Sequence, residues 1–523
     1  MGDLGDMDMT NKNSWLPPIS LFLICLLAYV NSFNNNFLLD DHLVLFGQRG
    51  VINKSLGEIL LQDQGGFYRP AGYFLLWLLT HLFGEHQVGY HVVNLVLLFL
   101  IAYFLYLIVK NLTLDSLLAF LAAALYAIHP VNGFLVNYMT AGYISVFVLS
   151  MQASFLFFMR FADKGSNKDY VLSFAFFVYA CMSHEMVIML PVFLLSYLFF
   201  MKRERFWSLA QWILPLMMFL AVWFIVRSHV SAAFVRISNP IAALGDGLAY
   251  LSTWLDLTGW YLSKLIFPKD IIFLWSSQYG VKNIVLQALV FLFLVIMSIY
   301  AIVRWNKGFK PLMLTMFVIG LLPSLYSCFV YFPIVWPIIE PHWFYFSSMG
   351  FFVLMAVVLK KIIEKNVKAG IILVGGVATL LMYFNWDLNT KWSTQELYCS
   401  YWLSLNPGNL TPYYGLGRSL MDQGDCANAA KIFQVGHNRL HMLSLELTAD
   451  MGHCMDVLGD DQKASDYLNT ALRMDPNYAL TYHYIGLYFN KRNKLERAQD
   501  YFRKAVVLDP KFSPSYAYLQ KSI

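Results

Sequence analysis

The sequence predicts an all-α membrane protein in two parts. A polytopic bundle of about eleven transmembrane helices occupies residues 1–388, and a helical-repeat solenoid follows over 389–523. Three observations predict it. The 523 residues are 58% hydrophobic and only 13% charged, where soluble domains carry about 25% charge. Apolar stretches long enough to cross a bilayer, at about 17–25 residues each, recur eleven times. Past about Asn389, charged and small residues return with a regular period.

The expected spans are roughly 15–32, 90–109, 114–130, 134–159, 169–184, 186–201, 207–228, 283–303, 311–330, 343–360 and 367–385. Residues 71–83 follow Tyr68-Arg69-Pro70 and are too short to span, so they predict a helix lying at the interface. Met1 to Asn13 lacks the basic leader and small-residue cleavage site of a signal peptide, which predicts an uncleaved first span. The six cysteines, at 25, 181, 328, 399, 426 and 454, have no CxxC or zinc spacing and read as no disulfide framework. Aromatic residues, at 17%, suit interfacial belts. The net charge of +5 says little by itself, because placement matters more than the sum; no nucleic-acid partner is expected.

Charge placement gives topology. Lys110; Arg160, Lys164 and Lys168; Lys202, Arg203 and Arg205; Arg304, Lys307 and Lys310; and Lys360, Lys361, Lys365 and Lys368 fall in one alternating set of short loops. The opposite short loops, around 130–133, 183–186 and 331–342, hold no Lys or Arg. The positive-inside rule assigns the basic set to the cytoplasm. The outer loops 33–89 and 229–282, and the chain after about 386, then lie outside it. In the second of these loops, Trp254, Trp260 and Tyr261 are spaced for an interfacial helix expected to cover a cleft.

The C-terminal period is 34 residues. Pro476 and Pro510, Phe433, Tyr467 and Tyr501, and Ala430, Ala464 and Ala498 all keep it, as do Gly452 and Gly486. This pattern resembles the tetratricopeptide repeat, with repeats at about 408–441, 442–475 and 476–509. Small residues let two helices approach, and proline starts the next helix at its first turn.

With this topology, most near-membrane ionisable residues gather on the outer face. Asp40, Asp41 and His42 follow the first span. Arg69 sits between an aromatic residue and a proline. His91 and Asn94 share a helix face, His129-Pro130 ends a span, His184-Glu185 occupies a tight turn, and Glu340 and His342 precede the tenth span. Ionisable groups at membrane depth are costly and face protein interiors or wet cavities. A guanidinium suits a phosphate, and an ion pair of Arg69 with Asp40, Asp41 or Glu85 is the alternative. An aspartate at headgroup height suits a general base for an acceptor hydroxyl. A divalent metal on Asp40, Asp41 and a histidine is the lesser alternative, because adjacent side chains seldom ligate one ion together. For His91, Asn94 and His129, helix packing or capping competes with a cleft role.

The acidic pair, Tyr68-Arg69-Pro70, His91-Val-Val-Asn94, Ala127-Ile-His129-Pro130 and Trp343-Phe-Tyr-Phe-Ser-Ser-Met-Gly350, in that order and followed by the repeats, resemble the GT-C superfamily of membrane glycosyltransferases. The most similar group is the transmembrane and tetratricopeptide-containing O-mannosyltransferases with their prokaryotic relatives. The resemblance implies a polyprenyl- or dolichyl-phosphate-linked sugar donor and a protein or glycan acceptor outside the cytoplasm. It implies Asp41 or Asp40 as catalytic base and Arg69 as donor-phosphate contact. The chain departs from the family at Phe134, Gly142 and Ile144, which stand where the pattern carries Glu, Arg and Asp. These departures support a second reading, a non-catalytic scaffold whose repeats bind partner proteins. The sequons Asn53-Lys-Ser55 and Asn409-Leu-Thr411 do not decide the compartment, and the short repeat array leans towards a bacterial inner membrane and periplasm over the ER lumen.

Overall fold

A computed structural model describes residues 15–47, 50–63, 67–231, 247–276, 307–325, 338–440, 444–510 and 513–520, with scattered positions between 289 and 304. In chain order the helices begin with α1 (Leu16–Tyr29), α2 (Asp41–Leu45), α3 (Leu56–Leu61), α4 (Pro70–Phe83), α5 (Gln87–Thr113) and α6 (Ser116–Ile128). They continue with α7 (Phe134–Asn137), α8 (Gly142–Lys164), α9 (Asn167–Cys181), α10 (Leu190–Met201), α11 (Phe206–Ala210), α12 (Leu214–Val230), α13 (Gly247–Ile266) and α14 (Phe309–Ile319). Next come α15 (Met349–Lys365), α16 (Val367–Lys391), α17 (Gln395–Leu405), α18 (Thr411–Asp422), α19 (Cys426–Leu440) and α20 (Leu445–Leu458). The last are α21 (Asp461–Met474), α22 (Ala479–Lys491), α23 (Leu495–Leu508) and α24 (Ser513–Gln520). Two-residue strands β1 (Trp275–Ser276) and β2 (Ile338–Ile339) pair antiparallel.

The chain divides into two compact units. The first holds residues 1–36, 54–331 and 337–393; the second holds 37–53, 332–336 and 394–523.

The first unit is a helical bundle in which α8 packs on α5 and α9, α6 on α5 and α15, and α15 on α14 and α16. Among the described residues four helices are long and apolar enough to cross a membrane: Gln87–Thr113, Met139–Lys164, Arg203–Val230 and Val367–Lys391. A fifth arises if Ser116–Ile128 and Pro130–Asn137, bent by 59° at a break, form one span. This is fewer than the eleven expected. Hydropathy marks apolar runs, whereas His129-Pro130, Pro191 and Pro311 cut or begin helices inside or beside them, because proline lacks the N–H that continues the ladder. The expected span 343–360 starts with a 3₁₀ turn, Pro341–Phe344, before α15 begins. Most of 283–303 lies outside the described residues.

The two ends of this bundle differ in chemistry. At one end Lys202 pairs with Asp163, Lys360 pairs with Asp115, and Arg205 Nη1 donates to Ala162 O at 3.0 Å. At the other end a chain of asparagines joins α1, α7 and α16. Asn389 Nδ2 donates to Ala28 O and Asn31 Oδ1 at 3.1 and 2.7 Å, and Asn137 Nδ2 donates to Asn389 Oδ1 at 2.7 Å. Asn35 Nδ2 donates to Asn389 O at 2.9 Å. Asn35, Asn137 and Asn389 are buried, so these bonds satisfy groups that would otherwise be orphaned.

The expected interfacial aromatics of 229–282 are a correction. Helix α13 is present, but Trp254, Trp260 and Tyr261 are buried. Trp254 Nε1 donates to Ser324 Oγ at 2.7 Å, and Tyr261 packs on Phe344 at 4.4 Å between centroids. Their spacing marks a core-facing stripe of the helix, which also packs on β1 and β2.

In the second unit three helix pairs follow one another: α18 with α19, α20 with α21, and α22 with α23. Left-handed Gly424, Gly459 and Asn493 close the turns inside the pairs, a conformation that favours glycine and asparagine. Gly417, Gly452 and Gly486 lie against Phe433, Leu468 and Phe502, where an added Cβ would collide with the facing side chain. Tyr413 OH donates to Pro407 O and Tyr482 OH to Pro476 O, at 3.3 and 2.9 Å. Between successive pairs Asp450 Oδ1 accepts from Arg418 Nη1 at 2.9 Å and from Tyr484 OH at 2.8 Å. Asn409 is buried and its Oδ1 accepts from Thr411 N at 2.7 Å, which satisfies the first N–H of α18.

Candidate functional site

In the first unit the predicted residue Arg69 sits at the N-cap of α4, with Pro70 opening the helix. Its partner is Glu185, and not Asp40, Asp41 or Glu85. Nε donates to both carboxylate oxygens at 3.2 and 3.1 Å, and Nη2 to Oε2 at 2.8 Å. This fork-to-fork pairing is the strong form of an arginine–carboxylate contact. Nη1 donates to Tyr143 OH at 3.3 Å, and the guanidinium lies 4.5 Å from the Phe67 ring centroid. Tyr143 belongs to the first turn of α8.

Arg227 also pairs with Glu185. It lies near the C-terminal end of α12, and its side chain is 2% exposed. The Arg69–Glu185–Arg227 group thus carries one positive charge in excess. The sequence signal for Arg227 was available: it is an ionisable residue at the end of an apolar span, the kind of group that membrane depth makes costly.

The turn that carries Glu185 also carries His184. Its Nδ1 accepts the Met186 N–H at 3.2 Å and lies 3.3 Å from Glu185 Oε2. Accepting at Nδ1 places the proton of the neutral ring on Nε2, and Nε2 is buried without a hydrogen-bond partner. His184 packs on Phe147 at 5.0 Å and edge-on against His342 at 5.5 Å. His342 Nδ1 lies 2.9 Å from Glu340 Oε2. Residues from the start of α4, α8, the α9–α10 turn, α12 and the 3₁₀ turn after β2 are therefore gathered in one place: Arg69, Tyr143, His184, Glu185, Arg227, Glu340 and His342.

Phe134 stacks on His342 at 6.0 Å and on Tyr138 at 4.9 Å. It is buried, as are Gly142 and Ile144. None of these three positions carries a charge.

The other predicted residues of this unit are tied to backbone. His91 contacts Val136 O through Nδ1 at 2.9 Å and Asn35 O through Nε2 at 3.1 Å. Asn94 Nδ2 donates to Tyr138 O and Met139 O at 3.1 and 3.2 Å. His129 Nδ1 accepts from Val131 N at 3.3 Å, and Nε2 contacts Leu265 O at 3.2 Å. All three brace the loops that follow α6, consistent with the packing alternative read from the sequence.

Asp40, Asp41 and His42 belong to the second unit. Leu39 precedes them in a left-handed conformation, with its N–H donating to Gln395 Oε1 at 3.1 Å. Gln395 Nε2 also donates to Gly415 O at 3.0 Å, which fastens this loop to α18. The carboxylates diverge: Asp40 is exposed at the N-cap of α2, while Asp41 is buried and accepts from Leu38 N at 3.1 Å. His42 is exposed and stacks edge-on with Phe37. That divergence does not fit one metal held by Asp40, Asp41 and a histidine. No cluster of three or more His, Cys, Asp or Glu placed to hold a metal occurs among the described residues.

Residues 68–231 match the family model described as dolichyl-phosphate-mannose-protein mannosyltransferase. The segment contains Arg69, Tyr143, His184, Glu185 and Arg227. A curated relative, the protein O-mannosyl-transferase F38B6.6 of Caenorhabditis elegans, is 23% identical over 429 residues. The match covers 79% of this chain and 61% of the relative, so the chain spans about three-fifths of that protein's length. Two crystal structures of the Archaeoglobus fulgidus oligosaccharyltransferase align at a TM-score of 0.41, one in the apo form and one tethered to an acceptor peptide. The peptide-tethered structure is 12% identical, with 73% of this chain and 55% of that one covered. The apo structure is 11% identical, with 78% and 60% covered. By these comparisons residues 68–231 are similar to the dolichyl-phosphate-mannose-protein mannosyltransferase family, and the chain is similar along most of its length to a protein O-mannosyl-transferase.

Proposed function

We propose that this protein moves a sugar from a polyprenyl- or dolichyl-phosphate carrier to a protein or glycan acceptor on the extracytoplasmic face of its membrane. The observation that carries this reading is the Arg69–Glu185–Arg227 group. A bundle gains little from burying two arginines on one carboxylate, since apolar packing does as well. The same group suits a ligand with a diffuse negative charge. As the sugar–oxygen bond breaks, charge grows on the departing lipid phosphate, and fixed guanidiniums stabilise that charge most when water is excluded. Glu185 holds the two cations at a set spacing before the donor arrives.

Asp41 is the proposed base for the acceptor hydroxyl, with Asp40 its solvent-facing neighbour. Their loop lies in the same unit as the helix pairs, which supports a division of labour. The pairs form a tetratricopeptide array that recognises an acceptor protein, and the same body carries the base. The family description makes mannose on dolichyl phosphate the donor to test first.

Dolichyl phosphate binding to the full-length protein in nanodiscs tests the anion site. Arg227→Met and Arg69→Lys each weaken binding by about tenfold or more, or about 1.4 kcal/mol, the second because lysine lacks the bidentate fork. Unchanged affinity in both variants would overturn the site.

A further inference from the structure

The second unit buries two thiols in one core, on two helices that pack together. Cys426 opens α19, and Cys454 lies in the last turns of α20. The two helices pack on each other, and the chain reverses between them, which brings the start of one near the end of the next. Both side chains belong to one buried core with Phe433, Leu447 and Met451. Cys426 and Cys454 are both free thiols in this structure, and each is a member of that one core. Neither is more than 6% exposed. Cys399, the third cysteine of the unit, lies against Gly415.

We propose that Cys426 and Cys454 form a disulfide in the mature protein, pinning the first helix pair of the second unit to the next. The inference rests on the proposed extracytoplasmic placement of this unit, because disulfides persist in oxidising compartments. The two thiols are oxidised, the S–S bond forms, and two protons and two electrons leave. The electrons pass to a dithiol–disulfide oxidant of the compartment, whose own disulfide is reduced to two thiols.

Burial decides when this happens. A thiolate is the attacking species, and an apolar core suppresses it. Burial raises the Cys454 pKa, and the neighbouring Cys426 raises it further. Oxidation therefore occurs while α19 and α20 are still docking, and the finished bond is shielded from reductants. Loss of the bond releases the loop between the two positions in the unfolded chain, which lowers stability. Sequence spacing gave no sign of this pair, because its partners meet through helix packing.

Full-length protein is extracted from native membranes in an alkylating buffer and digested with trypsin without reduction. The expected product is residues 419–431 linked to 440–463, lighter than the sum of the two peptides by two hydrogens and absent after reduction, with Cys399 alkylated. Recovery of both peptides alkylated and unlinked would overturn the proposal. A second arm then locates the failure: linkage on adding copper–phenanthroline to the purified protein keeps the contact and removes the placement, and no linkage removes the contact. A Cys426→Ser/Cys454→Ser variant must lose the linked peptide and unfold at a lower temperature than the wild type under non-reducing conditions only. A cost that persists under reduction belongs to packing and counts against the bond.

Discussion

Glu185 is the residue on which the site turns, because its carboxylate is shared by Arg69 and Arg227. Glu185→Gln keeps the shape and removes the countercharge. The variant is expected to lose about 3 kcal/mol of stability, the cost of leaving buried charges uncompensated. It should also bind dolichyl phosphate about tenfold more tightly, since a competing anion is gone. Thermal unfolding and lipid binding on the same preparation check the pair of opposite effects. A purely structural triad gives the first without the second. His483 offers a separate test in the second unit. Burial, with His453 adding to it, pushes its pKa down from 6.5 to about 4. The unfolded ring takes up a proton that the folded ring refuses, so the contribution is complete above pH 6.5 and is lost as pH falls towards 4. The loss amounts to about 3 kcal/mol. His483→Gln flattens that acid limb when unfolding is followed between pH 7 and 4.

Among the elements, α16 depends on its asparagines. Asn389 ties it to α1 and α7 through three side-chain hydrogen bonds. Asn389→Leu leaves a buried acceptor on Ala28 and a buried donor on Asn137 without their partner, at a cost of about 2–3 kcal/mol, read as a lower apparent Tm in detergent. The elements also explain which expectations transferred from the sequence. Apolar runs located helices well, as with Pro70–Phe83 and Gln87–Thr113. They did not fix span number, since proline breaks and 3₁₀ turns shorten helices inside a continuous apolar run. Trp254, Trp260 and Tyr261 have the spacing of an amphipathic helix, which is the same for a membrane-facing stripe and a core-facing one. Arg69 stands out in the sequence by its solitary position beside aromatics. Its partner was not legible, because 116 residues separate it from Glu185 and only the fold closes that distance.

At the scale of the molecule, two chemistries are sorted along the bundle. Lysine-bearing pairs occupy one end, and the Arg–Glu–Arg group with its histidines draws on the opposite helix ends. The acidic loop and the helix pairs form the other unit. The proposed function is transfer of a sugar from a lipid phosphate, with Arg227 proposed for the phosphate and Asp41 proposed for the acceptor hydroxyl. The most direct measurement supplies labelled dolichyl-phosphate-mannose to native-host membranes that carry the wild type, Arg227→Met or Asp41→Asn at equal abundance, and counts protein-bound label. Transfer by the wild type is expected, with a loss of about 10²-fold or more in each variant. Transfer unchanged in both variants, or no transfer by the wild type, would contradict the proposed function.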